Sequence, residues 1–501
     1  MIDGSESLAT FILLAAVVAI LVWGYNRAKT YGRLGILAWL QSIVLMSPWL
    51  LFFGLFALGI YLNLVGILFL LLVSIAVYIW LGKQLRAAGQ EALLQQKAAE
   101  RIKQQAEIEQ VSPAPNSNEL EQKAVIEVSP IPDEDLTALK AIFGIDTFFA
   151  TETIPYQDGA IFKGNLRSEP DIAYSKMSQK LDRAFDDKYR LFLVESPEER
   201  PVVVILPKTN DPQTTTLAQK NLALVLLIGT ILTSLEAASL LQGFDLFNDF
   251  SRYGEVIPLS LGLWSVLIAH EIGHRVIANR YHIRLSIPFF LPSWQIGSFG
   301  AITRFESLLP NRTALFDISF AGPAVAGVVS LLLLVSGLTL SHPGSMFQLP
   351  TEFFRASILV GTLAKVILGS ALEKAVVDIH PLVIIGWLGL VITALNLLPA
   401  GKLDGGRIVH AIYGRKTARR ATLATLIILG IVSLFNPANP IPLYWSVLIL
   451  FLQRDLERPV QNELTEPDDS RAAWALLALF LMLATLIPLS AGLAGRIGLG
   501  A

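Results

Sequence analysis

No cysteine occurs among the 501 residues. That absence excludes disulfides and every thiolate metal site. Any bound metal must be held by histidine and carboxylate. Histidine is itself scarce, with six in the chain: His270, His274, His282, His342, His380 and His410. Charge is sparse as well. Charged residues make up 16% and the formal net charge is −2, so no polycationic surface points to nucleic acid. From Leu34 to Gly82 there is no Asp, Glu, Lys or Arg at all. A spanning helix needs about 20 apolar residues, so that stretch has room for two. The N-terminus, Met-Ile-Asp-Gly-Ser-Glu-Ser, lacks the basic start and small-residue cleavage site of a secretory signal. Leu8–Trp23 therefore reads as a retained span. No transit-peptide pattern precedes it, which favours a bacterial source.

What is present is apolar. Hydrophobic residues are 53%. The pattern predicts an all-α polytopic membrane protein of about eight to ten transmembrane helices with a small soluble α/β insert. Five regions follow. Residues 1–83 form an N-terminal region of three spans, and 84–134 a helical and Pro-rich linker. Residues 135–217 form a soluble α/β domain, 218–411 a transmembrane core, and 412–501 a C-terminal transmembrane region. Arg27, Lys29, Arg33, Lys83 and Arg86 mark the inner face, which puts the N-terminus outside and the 84–217 insert inside. In the insert, 136–143 and 171–189 show helical periodicity. The β-rich runs are 160–166, 190–194 and 201–206. Residues 84–110 read as an exposed helix, and 111–118 and 128–134 as linkers. Further on, the basic run Arg415–Arg420 belongs inside, so 382–398 runs inward. Parity then keeps 356–372 from spanning. Residues 421–435 and 443–452 read as a short pair broken by prolines. His282, His342, His380 and His410 lie at or beyond span ends and read as interfacial.

One uncharged run, Pro258–Ala269, leads straight into His-Glu-Ile-Gly-His at 270–274. On a helix, residues four apart share a face, so His270 and His274 can hold one zinc ion. Glu271 is placed to act as general base on water activated by that metal. Ionisable groups at membrane depth are costly, and their presence marks a functional site. A catalytic zinc usually has three protein ligands and one open position. The third should be another His, Glu or Asp at matching depth. Asp404, in Asn396-Leu-Leu-Pro-Ala-Gly-Lys-Leu-Asp-Gly-Gly406 after an inward-running span, is the best candidate. The plain alternative is a capping Asp before Gly-Gly. Broken backbone at membrane depth is tolerated where it lines a protein or water cavity, and a hydrolytic site needs water.

These two motifs together resemble the site-2 protease family of intramembrane zinc metalloproteases. The resemblance covers roughly Leu222 to Ala411. It implies His270, His274 and Asp404 as zinc ligands, Glu271 as the base and Asn396 as a residue that helps hold the peptide carbonyl. An interhelical hydrogen bond is the plain reading of Asn396. Ala321-Gly-Pro-Ala-Val-Ala-Gly327 is similar to a Gly-Pro turn of that family. No PDZ-like module is evident. The long insert with Gly164-Asn-Leu-Arg167 is similar to the cyanobacterial and plastid branch, named from the yellow-green, gravitropism-deficient plant mutant. From the residues alone, Gly164–Arg167 reads as a turn leaving a strand. The branch implies a cyanobacterial plasma or thylakoid membrane. Its partners would be transmembrane protein substrates and membrane lipid, with no nucleic acid. Ser286–Phe305 alternates Pro, Gly and aromatic residues directly after the motif helix. It reads as a partly inserted β-hairpin or as an ordinary loop. As a hairpin, its edge could pair with an extended substrate. Two other functions are open to the sequence. A metal transporter would carry more polar residues through its spans, and a non-catalytic membrane chaperone or scaffold would have no use for Glu271.

Overall fold

A computed structural model describes residues 21–30, 32–57, scattered positions between 74 and 85, and 131–496 except 157, 197, 437, 438 and 454. The chain divides into two units, 1–126 and 127–501. In the first, helix α1 runs Gly32–Ala57, 26 residues. At 1.5 Å per residue that is about 39 Å, long enough to cross a bilayer. The span at Leu8–Trp23, the break near Asn63, the helix 84–110 and the linker 111–118 fall wholly or mainly outside the described residues.

The second unit opens with the soluble insert. Helix α2 (Asp133–Lys140) precedes strands β1 (Phe148–Tyr156) and β2 (Gly159–Leu166). Helix α3 (Pro170–Phe185) then leads to β3 (Tyr189–Glu195) and β4 (Pro201–Pro207). The four strands form one antiparallel sheet in the order β1-β2-β4-β3. Alternate side chains point to one face, so Leu191 and Leu193 of β3 join Val203 and Ile205 of β4 in the core. Ala173, Met177 and Leu181 of α3, spaced four apart, cover them. Pro170 at the first position of α3 suits a helix start, where its missing N–H has no partner to lose. Gly164 is not in a turn. It sits inside β2 opposite a bulge in β1, between Ala150 and Glu152. A Cβ there would lie 2.8 Å from the Phe149 carbonyl carbon, so the glycine is demanded by close backbone approach.

Among the described residues of the second unit, five helices are long and apolar enough to span a membrane. They are α4 (Leu217–Leu241), α5 (Tyr253–Arg280), α6 (Arg312–Leu340), α9 (Asp404–Phe435) and α11 (Asp469–Leu486). Between them lie β5 (Phe289–Ser293), β6 (Gly297–Ile302), β7 (Phe347–Pro350), α7 (Ile358–Leu368), β8 (Val376–Ile379), α8 (Pro381–Asn396) and α10 (Ile441–Leu448). The chain is thus a polytopic membrane protein with an α/β insert. Helix α7 has 11 residues, about 16 Å, which is far short of the ~30 Å hydrocarbon core. The pair read at 421–435 and 443–452 needs correction. Its first member is the end of α9, which begins at Asp404 and is interrupted only at Gly414, where φ is 78°. The basic residues 415–420 lie within that helix. Arg415 donates to the Glu457 carbonyl at 2.8 Å and lies 3.8 Å from the Glu463 carboxylate, and Lys416 pairs with Glu199 of the insert, so the first two of these charges have partners.

The segment 286–305 is a hairpin, β5 paired antiparallel with β6. Its base lies near the start of α4, where Arg304 donates to Gln219 Oε1 at 3.1 Å. Its tip reaches Thr233, whose hydroxyl donates to the Gly297 carbonyl at 2.6 Å. Thr233 stands 14 residues past Gln219 on α4, so the hairpin runs about 21 Å along that helix. The tip is closed by Trp294, stacked on Phe247 at 5.9 Å.

Candidate metal centre

Helix α5 carries three ionisable side chains on its buried side. His270, Glu271 and His274 are 7%, 6% and 5% exposed. The four-residue spacing brings the two imidazoles together edge to face, at an interplanar angle of 70° and with Nε2 atoms 3.0 Å apart. Asp404, at the first turn of α9, brings Oδ2 to 3.1 Å from His270 Nε2 and 3.4 Å from His274 Nε2. Residues 397–403 make this possible. After α8 ends, the chain turns through Pro399 and Gly401 and starts α9 with Asp404 facing α5. One pairing fixes a tautomer. His274 Nδ1 lies 2.7 Å from the Ile318 carbonyl oxygen. An oxygen there can only accept, so Nδ1 carries the proton and Nε2 offers its lone pair.

The donor set fits zinc. Tetrahedral bonds of about 2.0–2.1 Å put ligand atoms roughly 3.3 Å apart. The three edges of this triangle are 3.0, 3.1 and 3.4 Å. Two imidazole nitrogens and one carboxylate oxygen are also a known catalytic zinc set, leaving one position for water or substrate. His270, His274 and Asp404 are close enough to bind one metal ion.

Helix α6 approaches this triangle closely. A Cβ on Gly322 would lie 2.6 Å from two ring carbons of His274, so only glycine leaves space for that imidazole. A small cleft beside the site is lined by His270, Glu271, Gly300, Ala301, Ile392 and Thr393, among others. It thus lies between α5, strand β6 and helix α8. Asn396, 6% exposed, donates to its own helix at Ile392 O (2.9 Å) and to the Phe299 carbonyl of β6 at 3.3 Å.

Of the five residues singled out in the sequence, His270 and Glu271 line this cleft, His274 and Asp404 adjoin His270, and Asn396 bonds to Phe299 and Ile392 beside it. Three other groups join them. Thr303 donates its hydroxyl to Glu271 Oε2 at 2.9 Å. Arg407, three residues after Asp404, places Nη1 3.9 Å from Asp404 Oδ1. Glu457 accepts from Arg407 Nε at 3.0 Å. Burial pushes the Glu457 carboxyl up, but Arg407 and Lys402 outweigh it and hold it below the usual range, so it stays ionised. Helical spacing from Asp404 was a usable signal for Arg407. Nothing local marked Thr303 or Glu457. His410 also departs from an interfacial reading. It is 1% exposed and its Nε2 lies 2.9 Å from Glu463 Oε1. Segment 455–465 folds back over α9 and buries it.

The chain is similar to known proteins along most of its length. A family model described as peptidase family M50 matches residues 258–436, which enclose the cluster. One described as the EGY3 middle domain matches 137–213, within the insert. The chain is 40% identical over 369 residues to the probable zinc metalloprotease EGY2, chloroplastic, of Arabidopsis thaliana, covering 72% of this chain and 65% of that relative. It is 36% identical over 396 residues to the probable zinc metalloprotease EGY1, chloroplastic, of the same plant, covering 72% of each. It is 36% identical over 380 residues to the probable zinc metallopeptidase EGY3, chloroplastic, also of Arabidopsis thaliana, covering 72% of this chain and 66% of the relative. The matched region thus spans just under two thirds of the first relative. No solved structure matches the chain.

Proposed function

Because the chain belongs to peptidase family M50, the site-2 proteases, in the branch of the gravitropism-deficient plant metalloproteases, we propose that it is an intramembrane zinc endopeptidase. Its substrates are transmembrane segments of other proteins. The observation that carries this reading is the buried triangle of His270, His274 and Asp404 beside a carboxylate with one free oxygen.

Each residue has a role in the proposal. His270, His274 and Asp404 hold zinc. Zinc there supplies Lewis-acid chemistry, acidifying water and stabilising negative charge on the scissile carbonyl oxygen. Glu271 takes the proton from the attacking water and returns it to the leaving amine. Asn396 is already a donor to the Phe299 carbonyl at β6. With substrate present it turns that amide on the peptide carbonyl and shares the oxyanion's charge. Strand β6 presents the substrate. Its only strand neighbour among the described residues is β5, and Gly300 and Ala301 face the cleft. A helical substrate hides its carbonyls, so it must unwind and can add to β6 as an extended strand. The membrane is proposed to be the plasma or thylakoid membrane of a cyanobacterium. The plant relatives are named chloroplastic, and membrane fractionation decides the matter.

Purified protein in lipid should cleave a model transmembrane segment, stop on chelation and resume with zinc. In the same assay, proline scanned through 297–302 should reduce cleavage more than tenfold at alternating positions, because proline removes a ladder donor. Alanine there should do little. Cleavage that survives chelation contradicts the zinc mechanism. A flat proline response contradicts strand addition alone.

A further inference from the structure

The Glu271 carboxylate is anchored on one side. Thr303 Oγ1 donates to Oε2 at 2.9 Å, while Oε1 is buried with no hydrogen-bond partner among the described residues. A buried carboxylate oxygen without a partner is costly. It is explained where a proton must be collected.

Thr303 is itself held. Arg407 Nη2 donates to the Thr303 carbonyl at 3.0 Å. The same guanidinium lies over the Phe305 ring at 4.6 Å and is gripped by Glu457 through Nε at 3.0 Å. Arg407 is 6% exposed. A planar guanidinium engaged on several sides has little freedom left, and neutral or single-point donors do not reproduce that fork. Glu457 belongs to segment 455–465. Four residues further on, Leu193 of β3 donates to the Gln461 carbonyl at 2.8 Å and accepts from Glu463 N at 2.9 Å. A line of bonded groups therefore runs from the edge of the insert's sheet to the carboxylate beside the metal site.

The geometry points to Thr303 and Arg407 as positioning residues for the proton transfer. Thr303 aims Glu271, and Arg407, clamped by Glu457, holds Thr303 in place. The inference rests on the proposed role of Glu271 as base. It also gives the insert a mechanical connection to the reaction, since segment 455–465 is shared by both. Loss of the Thr303 hydroxyl frees the carboxylate to rotate, and a misplacement of about 1 Å at a reacting group can cost ~100-fold in rate.

The test measures kcat, KM and zinc content for Thr303→Val, Thr303→Ser, Thr303→Ala and Glu271→Gln on one model transmembrane substrate. Thr303→Val should lower kcat about 30-fold, with KM and zinc content unchanged, because positioning acts on the chemical step. Thr303→Ser keeps the hydroxyl and should recover to within about threefold of wild type. Thr303→Ala should behave like Thr303→Val and serves in its place if the valine variant does not fold. A wild-type kcat in the valine or alanine variant overturns the inference. So does a loss confined to KM, or a serine variant as impaired as the others. Glu271→Gln separates the two levels. If it cleaves at the wild-type rate, the endopeptidase mechanism itself fails. If it is inactive while Thr303→Val is normal, only the positioning role fails.

Discussion

Glu271→Gln should retain zinc and lose cleavage by about 10³- to 10⁴-fold, the upper part of the range for a general base. The change removes one negative charge and the ability to accept a proton, and little else. The amide is the size of the carboxylate, and an amide oxygen can still accept from Thr303 Oγ1 as Glu271 Oε2 does. His270, His274 and Asp404 keep their mutual spacing, since none of them hydrogen-bonds to Glu271. The measurement is single-turnover cleavage paired with metal analysis. Retained zinc with lost cleavage separates chemistry from binding. Cleavage at the wild-type rate would contradict the hydrolytic mechanism. A transporter or a scaffold built on these ligands would tolerate the substitution, so this variant also tests against both.

Gly322→Ala should cost the protein its metal although residue 322 is not a ligand. The added methyl would sit 2.6 Å from His274 Cδ2 and Cε1. Either the imidazole leaves its position or α6 moves away from α5. Moving the helix also breaks the bond from His274 Nδ1 to the Ile318 carbonyl, because Ile318 is on α6. Overpacking of this kind costs about 1–3 kcal/mol of stability. Loss of a ligand's orientation lowers metal affinity about 10- to 100-fold. Zinc titration against a competing chelator measures the effect. Gly327→Ala is the control on the same helix, since its Cβ would meet only Thr393 Cγ2 at an ordinary 3.9 Å. Wild-type zinc affinity in Gly322→Ala would show that α6 does not press on the site.

Much of the site was legible because it breaks a background. In a chain with so few histidines and so little charge, His270, Glu271 and His274 stand out inside an apolar run. Their helical spacing dictates a shared face whatever surrounds them. Segment 286–305 was legible as non-helical, since Pro and Gly at short spacing exclude a helix, but the sequence left hairpin and loop both open, and the pairing of β5 with β6 decides for the hairpin. Strand β1 was not legible. Phe148–Tyr156 is an edge strand, mostly half-buried or exposed, and its Thr, Glu and Pro give no clean alternation. Helix α9 was read too short because the basic run 415–420 was placed on the inner face, ahead of a span starting at 421, and its partners Glu199, Glu457 and Glu463 are distant in sequence. The same distance hid the link from Glu457 through Arg407 to Thr303. His410 was misread because its burial depends on Glu463, 53 residues later. Local pattern marked the candidate ligands and the candidate base. Long-range pairing, invisible to period and composition, decided what holds them.

The central claim is that His270, His274 and Asp404 form one zinc site across two separate helices. Metal analysis of purified Asp404→Ala beside the wild-type protein tests it most directly. Asp404 supplies the only carboxylate oxygen of the triangle, and no other acidic group among the described residues lies close enough to join the two imidazoles. The account predicts about one zinc per chain in the wild type, and less than about a tenth of that in Asp404→Ala after dialysis against a mild chelator. Full zinc retention in Asp404→Ala would contradict it and place the third ligand elsewhere.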